Sequence, residues 1–267
     1  MLLDYHLHTD HSVDGHATMR QICRRAADLG FDEIAVTDHL DSNPSDPGAG
    51  RFNVERWFED FQAVRDDVAD RVTIRAGVEI GEPHEYRSVV ADLGAWPFDL
   101  IIGSVHYIGT RGVHEALFDD LPLDEALDGY FDTARQIACC GLVDILGHLD
   151  CFQRYSLARG LPFDPHRYER QIRAVLEAVI RHDMALEVNT SGVRQQPGVC
   201  FPGRTILTWY HQMGGRAVTV GSDAHYVEHV GANITDAVAL LRKIGFDGLC
   251  VFDRRQRRSI PLATPNP

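Results

Sequence analysis

Short apolar runs punctuate the chain at residues 1–5, 33–37, 72–78, 100–105, 142–146, 185–189 and 216–220. Each is rich in Val, Ile or Leu and too short for a helix, the pattern of a strand buried on both faces. Longer amphipathic stretches separate them. Residues 18–29 end at Gly30, which suits a left-handed C-cap. Asn53 caps a segment through Arg71, in which Trp57, Phe58, Phe61, Val64 and Val68 recur at helical spacing. Residues 123–140, 165–182, 203–213 and 236–244 read the same way.

Strand–helix alternation implies parallel strands, because each parallel connection needs a crossover. Seven units in a row favour a closed α/β barrel, a (βα)7 TIM-like ring, over an open doubly wound sheet. An eighth apolar run at 249–252 is followed by 254–258 and 260–262, and the pattern leaves open whether it closes the barrel or lies outside it. Residues 43–50 form a Pro/Gly-rich loop, read as a lid or long connection rather than a boundary. With no low-complexity linker and no shift in composition, residues 1–267 are expected to form one domain.

Composition narrows the function classes. The chain has 267 residues, 44% apolar and 24% charged, which is ordinary globular composition. Its 26 Lys and Arg against 39 Asp and Glu give a formal charge of −13. Such a chain lacks the basic footprint of nucleic-acid binding and is repelled by anionic membranes. Residues 1–10 are acidic and His-rich, unlike a signal peptide, and no apolar window reaches the roughly eighteen residues of a membrane span. The six cysteines (Cys23, Cys139, Cys140, Cys151, Cys200, Cys250) contain no CxxC pair. They read as reduced thiols of a cytoplasmic protein, mostly filling the core, with the adjacent Cys139 and Cys140 pointing different ways. The unusual number is fourteen histidines.

Those histidines collect at strand ends. The first run ends in His6 and His8, whose side chains share a face roughly 6–7 Å apart. The next ends carry His39, Glu79, His106 and His148, and the seventh carries Asp223 and His225. Asp14 follows His8 in a loop. The sixth run delivers no metal-type residue, and its tip at 189–192 offers amide and hydroxyl groups. In a parallel barrel all C-terminal strand ends open onto one face. Core histidines have no reason to gather there, and packing imidazoles and carboxylates together without metal leaves large desolvation costs. Six histidines and three carboxylates exceed one ion's needs, so two or three divalent ions are expected, with Glu79 or Asp223 free to bridge. Imidazole and carboxylate without thiolate suit zinc, manganese or iron. Arg154 and Arg194, just after the fifth and sixth runs, overhang the same mouth and suit forked phosphate binding. His229 is either a proton donor to a leaving group, a partner behind the ligands, or an ordinary surface residue.

The ordered series HxH, Ser/Asp/Gly turn, Thr-Asp-His, strand-end Glu, Ser-x-His, Gly-His and Ser-Asp-Ala-His resembles the polymerase-and-histidinol-phosphatase (PHP) superfamily. Segments LVDILGHLDCFQRY, LEVNTSGVR and VGSDAH look most like the bacterial histidinol-phosphate phosphatases. The resemblance implies a distorted seven-stranded barrel with a trinuclear site. By position, His6, His8, Glu79 and Asp223 would hold one ion; Glu79, His106 and His148 a second; Asp14, His39 and His225 a third. His11 and His16 share the loop with Asp14, so the third site's first ligand stays open. Arg154 and Arg194 match the phosphate-binding arginines. Residues 80–86 and 107–120 lie outside the motifs that carry the resemblance and are expected to shape substrate choice. The implied reaction is hydrolysis of L-histidinol phosphate, a hydroxide between two ions attacking phosphorus in line, in histidine biosynthesis. The alternative is a phosphodiesterase or nuclease acting on small nucleotides or cyclic phosphates. A binding module with a degenerate site is disfavoured, since every ligand position is filled. The expected partner is a small phosphorylated substrate.

Overall fold

The computed structural model describes residues 1–262. Strands β1 (Leu3–Asp4), β2 (Glu33–Val36), β3 (Thr73–Gly81), β4 (Leu100–Ser104), β5 (Ile145–Leu146), β6 (Ala185–Asn189) and β7 (Val218–Gly221) lie side by side in chain order, all parallel. The ring is joined between its ends: Tyr5 N–H donates to the Val220 carbonyl (2.8 Å), Asp223 N–H to His6 (2.8 Å) and His8 N–H to Ala224 (2.9 Å). The result is a distorted α/β barrel of TIM-like form. Its first and fifth strands are two-residue ladders inside longer apolar runs.

The main distortion is a break after β2. Pairing with β3 stops at Val36 and resumes at His39–Leu40, which lie against Glu79 and Ile80. Strand β3 serves both halves and is therefore nine residues long. Glu79 consequently lies within a strand and not at its tip.

Helices α1 (Met19–Asp28), α2 (Val54–Val68), α3 (Leu123–Cys139), α4 (Glu169–Arg181) and α5 (Arg204–Gln212) lie in crossovers, the short helix Arg87–Asp92 connects β3 to β4, and α6 (Ile234–Ile244) follows β7. Thr18 and Gln21 form a reciprocal capping box at the start of α1. Beyond its end Gly30 takes φ +76°, as only glycine does cheaply, and lets Gly30 and Phe31 N–H return to the Ala27 and Ala26 carbonyls. Asn53 Oδ1 accepts Arg56 N–H (2.8 Å) and caps α2. The buried face of α2 presents Trp57, Phe61, Val64 and Val68. A 3₁₀ turn, Pro165–Tyr168, precedes α4.

The eighth apolar run lies outside the barrel. It is strand β8 (Gly248–Asp253), paired antiparallel with β9 (Gln256–Pro261) in a separate sheet. With β7 bonded to β1, the ring has no free edge for it. The hairpin packs across the end where strands begin: Arg254 and Arg255 N–H donate to Asp99 (2.9 Å each), Phe252 N–H to the Tyr5 hydroxyl (3.2 Å), and Arg255 pairs with Asp144. That end is plugged, so chemistry is left to the opposite mouth. All six cysteines are free; Cys23, Cys200 and Cys250 are buried, Cys140 and Cys151 half-buried and Cys139 exposed, so only half fill the core. Among the described residues no helix is long and apolar enough to cross a membrane.

Trp57 couples this frame to the mouth. Its ring is fully buried, stacked on Phe61 at 5.0 Å, and its Nε1 donates to Asp38 (2.8 Å). Trp57→Ala should cost about 3–5 kcal/mol of stability, the range for emptying such a site. Urea unfolding measures this, and a loss below about 1 kcal/mol would mean the site collapses or hydrates freely.

Candidate active site

Glu79 stands at the centre of the mouth, 1% exposed. Its Oε2 lies 3.1 Å from His6 Nε2, 3.2 Å from His39 Nδ1 and 3.5 Å from His8 Nε2. Its Oε1 lies 2.9 Å from His148 Nε2 and 3.4 Å from His106 Nε2, and accepts the Ser104 hydroxyl at 2.5 Å. Asp223 faces His8 Nε2 at 3.3 Å and His6 Nε2 at 4.0 Å. Asp14 reaches His225 Nε2 at 3.1 Å and His39 Nε2 at 3.8 Å. All nine residues named from the sequence as ligands thus meet in one cluster. His11 and His16 do not: His11 Nε2 lies 3.1 Å from Asp60, and the His16 ring stacks on Tyr226 at 4.3 Å.

The cluster has the chemistry of a metal centre. Rings of His8 and His225 lie 4.2 Å apart, His8 and His39 4.3 Å, with ring nitrogens turned toward shared carboxylates. His8 Nε2 is buried with no hydrogen-bond partner, a lone pair aimed between Glu79 and Asp223. Burial, with His225 and His39 beside it, pushes the His8 pKa down to about 4 in the metal-free protein. Burial also works against charge on His6 and His106, but the carboxylates of Glu187 and Glu79 around the first, and of Asp41 and Glu79 around the second, outweigh it and raise both. For Glu79 and Asp223 burial raises and the surrounding imidazoles lower; the imidazoles prevail, so both are anionic. Nitrogen and oxygen donors without thiolate suit zinc, manganese or iron.

Behind the ligands stands a second layer that the sequence did not disclose. Strand β6, expected to bring no metal-type residue, carries Glu187, which is 1% exposed. Its Oε1 faces His6 Nδ1 at 2.6 Å and its Oε2 accepts His148 N–H at 2.7 Å. The expectation fails because Glu187 lies inside an apolar run and not at its tip; a carboxylate in a buried strand was the available signal. Asp41 Oδ1 faces His106 Nδ1 at 3.0 Å. Asp38 accepts from Thr9 N–H (2.6 Å) and the Ser12 hydroxyl (2.7 Å), and Ser12 Oγ lies 3.1 Å from His8 Nδ1. Asp4 accepts Ser222 N–H (2.8 Å) and Gly231 N–H (3.0 Å), tying down the turn that bears Asp223.

The cluster floors a cavity of about 480 Å³, and a second lobe of about 240 Å³ adjoins it. Arg154, on the short helix Gln153–Ala158, lines both; Arg194 lines the smaller. Arg154 donates to the Ser191 hydroxyl (2.8 Å) and Arg194 to the Asp223 carbonyl (3.1 Å). Arg154 Nε and Arg194 Nη1 are buried without partners. His229 lines the smaller lobe, where burial and then the Arg194 cation lower its pKa.

Residues 4–191 match the PHP domain, and the chain belongs to that family. It is similar to the "Probable histidinol-phosphatase" of Clostridium acetobutylicum, 28% identical over 90% of this chain and 92% of the relative. The protein of that name from Deinococcus radiodurans is 30% identical over 91% of this chain and 94% of its own. The fold matches the crystal structure of histidinol phosphate phosphatase from Lactococcus lactis complexed with zinc, L-histidinol and phosphate. That match has TM-score 0.86 and 24% identity over 96% of this chain and 98% of that one.

Outer hydrogen bonds to metal-binding imidazoles usually govern affinity by 10–100-fold. Glu187→Gln should therefore weaken Zn²⁺ binding by about 10–100-fold while circular dichroism stays unchanged. Competition with a chromophoric chelator reads the affinity; an unaltered value would mean His6 is oriented without Glu187.

Proposed function

We propose that this protein is a metal-dependent phosphomonoesterase that hydrolyses L-histidinol phosphate to L-histidinol and phosphate. The observation that carries this reading is the meeting, across two adjoining lobes, of the ligand cluster, seven of whose nine residues line them, with two guanidinium groups whose buried N–H groups lack partners. Unpaired buried donors are costly, and a phosphate oxygen satisfies them. The relatives named histidinol-phosphatase, aligned over nine-tenths of the chain, support the substrate.

His6, His8, Glu79 and Asp223 would hold one divalent ion, Glu79, His106 and His148 a second, and Asp14, His39 and His225 a third. Zinc, manganese and iron all fit these donors. When bound, the ions supply Lewis acidity toward phosphoryl oxygens and lower the pKa of water. Arg154 and Arg194 grip nonbridging oxygens, and Ser191, bonded to Arg154, keeps that guanidinium turned to the cavity. Glu187 and Asp41 hold His6 and His106 by Nδ1, leaving Nε2 of each toward the ions. Residues 1–267 act as one catalytic unit, and the six free thiols accord with a reducing cytoplasm.

Purified active protein should carry more than one equivalent of divalent metal per chain by elemental analysis; one ion or none would exclude the multinuclear site. His148→Ala or Glu79→Ala should remove most turnover, and near-normal turnover with full metal loading would reassign the ligands. The arginines test the substrate class. Arg194→Ala or Arg154→Ala should each lose about 1.5–3 kcal/mol of binding to the phosphate, roughly 10–100-fold in kcat/KM. Arg194→Lys should recover only part, since an ammonium lacks the fork. Diesters have fewer free oxygens and should suffer less. Unchanged histidinol phosphate turnover alongside reduced diester cleavage would replace the monoesterase with a phosphodiesterase.

A further inference from the structure

Beyond the ligand cluster, the larger cavity opens into a vestibule walled by Val13, Pro47, Val113, His114 and Tyr155. Asp46 stands on the same wall. Asp41 also borders the cavity, but its carboxylate is engaged by His106 and His39. Asp46 has no such duty. Its Oδ1 accepts Gly48 N–H at 2.6 Å, and among the described residues no arginine, lysine or histidine pairs with it.

Asp46 is also held in place. Its loop is anchored by Asn43 Nδ2 donating to the Gly109 carbonyl (2.7 Å) and by the Tyr107 hydroxyl donating to the Ser45 carbonyl (3.2 Å). Both tethers come from the segment after β4. The smaller lobe, where Arg194 lies, does not include Asp46. The two lobes therefore carry both charges: Arg154 lines both and Arg194 the smaller, while Asp46, with no cationic partner among the described residues, lines only the larger, beside apolar and aromatic side chains. At about 480 Å³ the larger lobe accommodates a small organic leaving group.

We infer that Asp46 is a specificity-determining residue whose carboxylate receives a cationic amine on the leaving group, selecting phosphate esters of small amino alcohols with a ring. The inference rests on the phosphomonoesterase reading and names the contact that would select the alcohol portion. A phosphate bound beside the arginines leaves its ester arm to extend into the vestibule. There the ring packs on Val13, Pro47, Val113 and Tyr155 while Asp46 Oδ2 meets the ammonium. The two ends of one substrate thus read opposite charges in one cavity.

The test is Asp46→Asn, which removes the charge and keeps an oxygen for the Gly48 N–H. With metal-loaded enzyme, kcat/KM is measured for L-histidinol phosphate, phenyl phosphate and 4-(aminomethyl)phenyl phosphate. The variant should lose about 10–100-fold on L-histidinol phosphate, the worth of one charge-assisted bond, mainly through KM. Phenyl phosphate turnover should be unchanged. An equal loss on phenyl phosphate would mean that Asp46 only shapes the loop, and no loss on either ester would deny it any contact; each result overturns the inference. If the wild-type enzyme ignores L-histidinol phosphate, the functional reading fails by itself. The aminomethyl and plain phenyl esters then still decide: a wild-type preference for the cationic ester that vanishes in the variant upholds the subsite, and one absent or retained overturns it.

Discussion

One buried carboxylate organises the working end of this barrel. Glu79 meets five imidazoles and a serine hydroxyl while exposing 1% of its surface. An isolated anion at that depth costs several kcal/mol, so it persists only among positive charges, whether imidazolium or metal. The five histidines come from the segment after β1, from the continuation of β2, and from the segments after β4 and β5, so satisfying Glu79 fixes where those segments lie relative to one another. The break in β2 follows from this need, because it returns His39 to the ladder opposite Glu79 itself. Glycine makes the approach possible. A Cβ on Gly81 would stand 2.6 Å from Asp41 Oδ1 and 3.0 Å from His106 Nδ1; one on Gly221 would stand 2.4 Å from the His6 Cβ and 2.6 Å from Glu187 Oε1.

The outer carboxylates make the inner rings directional. Each of Glu187, Asp41 and, through Ser12, Asp38 occupies one ring nitrogen of a histidine, so the other nitrogen is turned inward. The same residues are structural ties: Glu187 joins β6 to β1 and to the segment after β5, and Asp38 joins the β2 break to α2 through Trp57. Barrel closure uses the same stretch of chain, since His6 and His8 bond by backbone to Asp223 and Ala224. Fold and site are one network here.

Much of this was legible in the sequence, and the reason is geometric. Strands in a parallel barrel all point one way, so a residue at the end of an apolar run is automatically at the mouth; His6, His8, His106, His148, Asp223 and His225 needed no further information. What lay between the ends was hidden. Glu187 sits within β6, flanked by Leu186 and Val188, where a carboxylate is informative only once its partner from β1 is known. Asp41 carries no signal in the apolar pattern; its role shows only once the β2 break returns His39–Leu40 to the sheet. The eighth apolar run had strand character, but its pairing depended on whether seven strands close, a property of ring curvature and not of local pattern. The loop at 43–50 was visible as Pro/Gly-rich, whereas its tethers to Tyr107 and Gly109 join residues more than sixty positions apart.

Charge ties these layers to chemistry. The chain carries −13 overall, which at long range opposes the approach of a phosphate dianion. Screening limits that opposition to roughly 8 Å in physiological salt, and inside the mouth the balance reverses. Asp14, Glu79 and Asp223 contribute three negative charges there. Asp41, lining the same cavity, adds a fourth, so two divalent ions would balance the four and three would outweigh them by two units, before either arginine is counted. With ions bound, a phosphate would be held by a short-range positive floor inside a negative shell, while a cationic arm extending outward would meet the acidic surroundings that favour it. Such an arrangement would disfavour anionic alcohols without any contact to exclude them. The inferred preference for a phosphate joined to a cation would then follow from where the ligand cluster is buried, more than from how many acidic residues the surface carries.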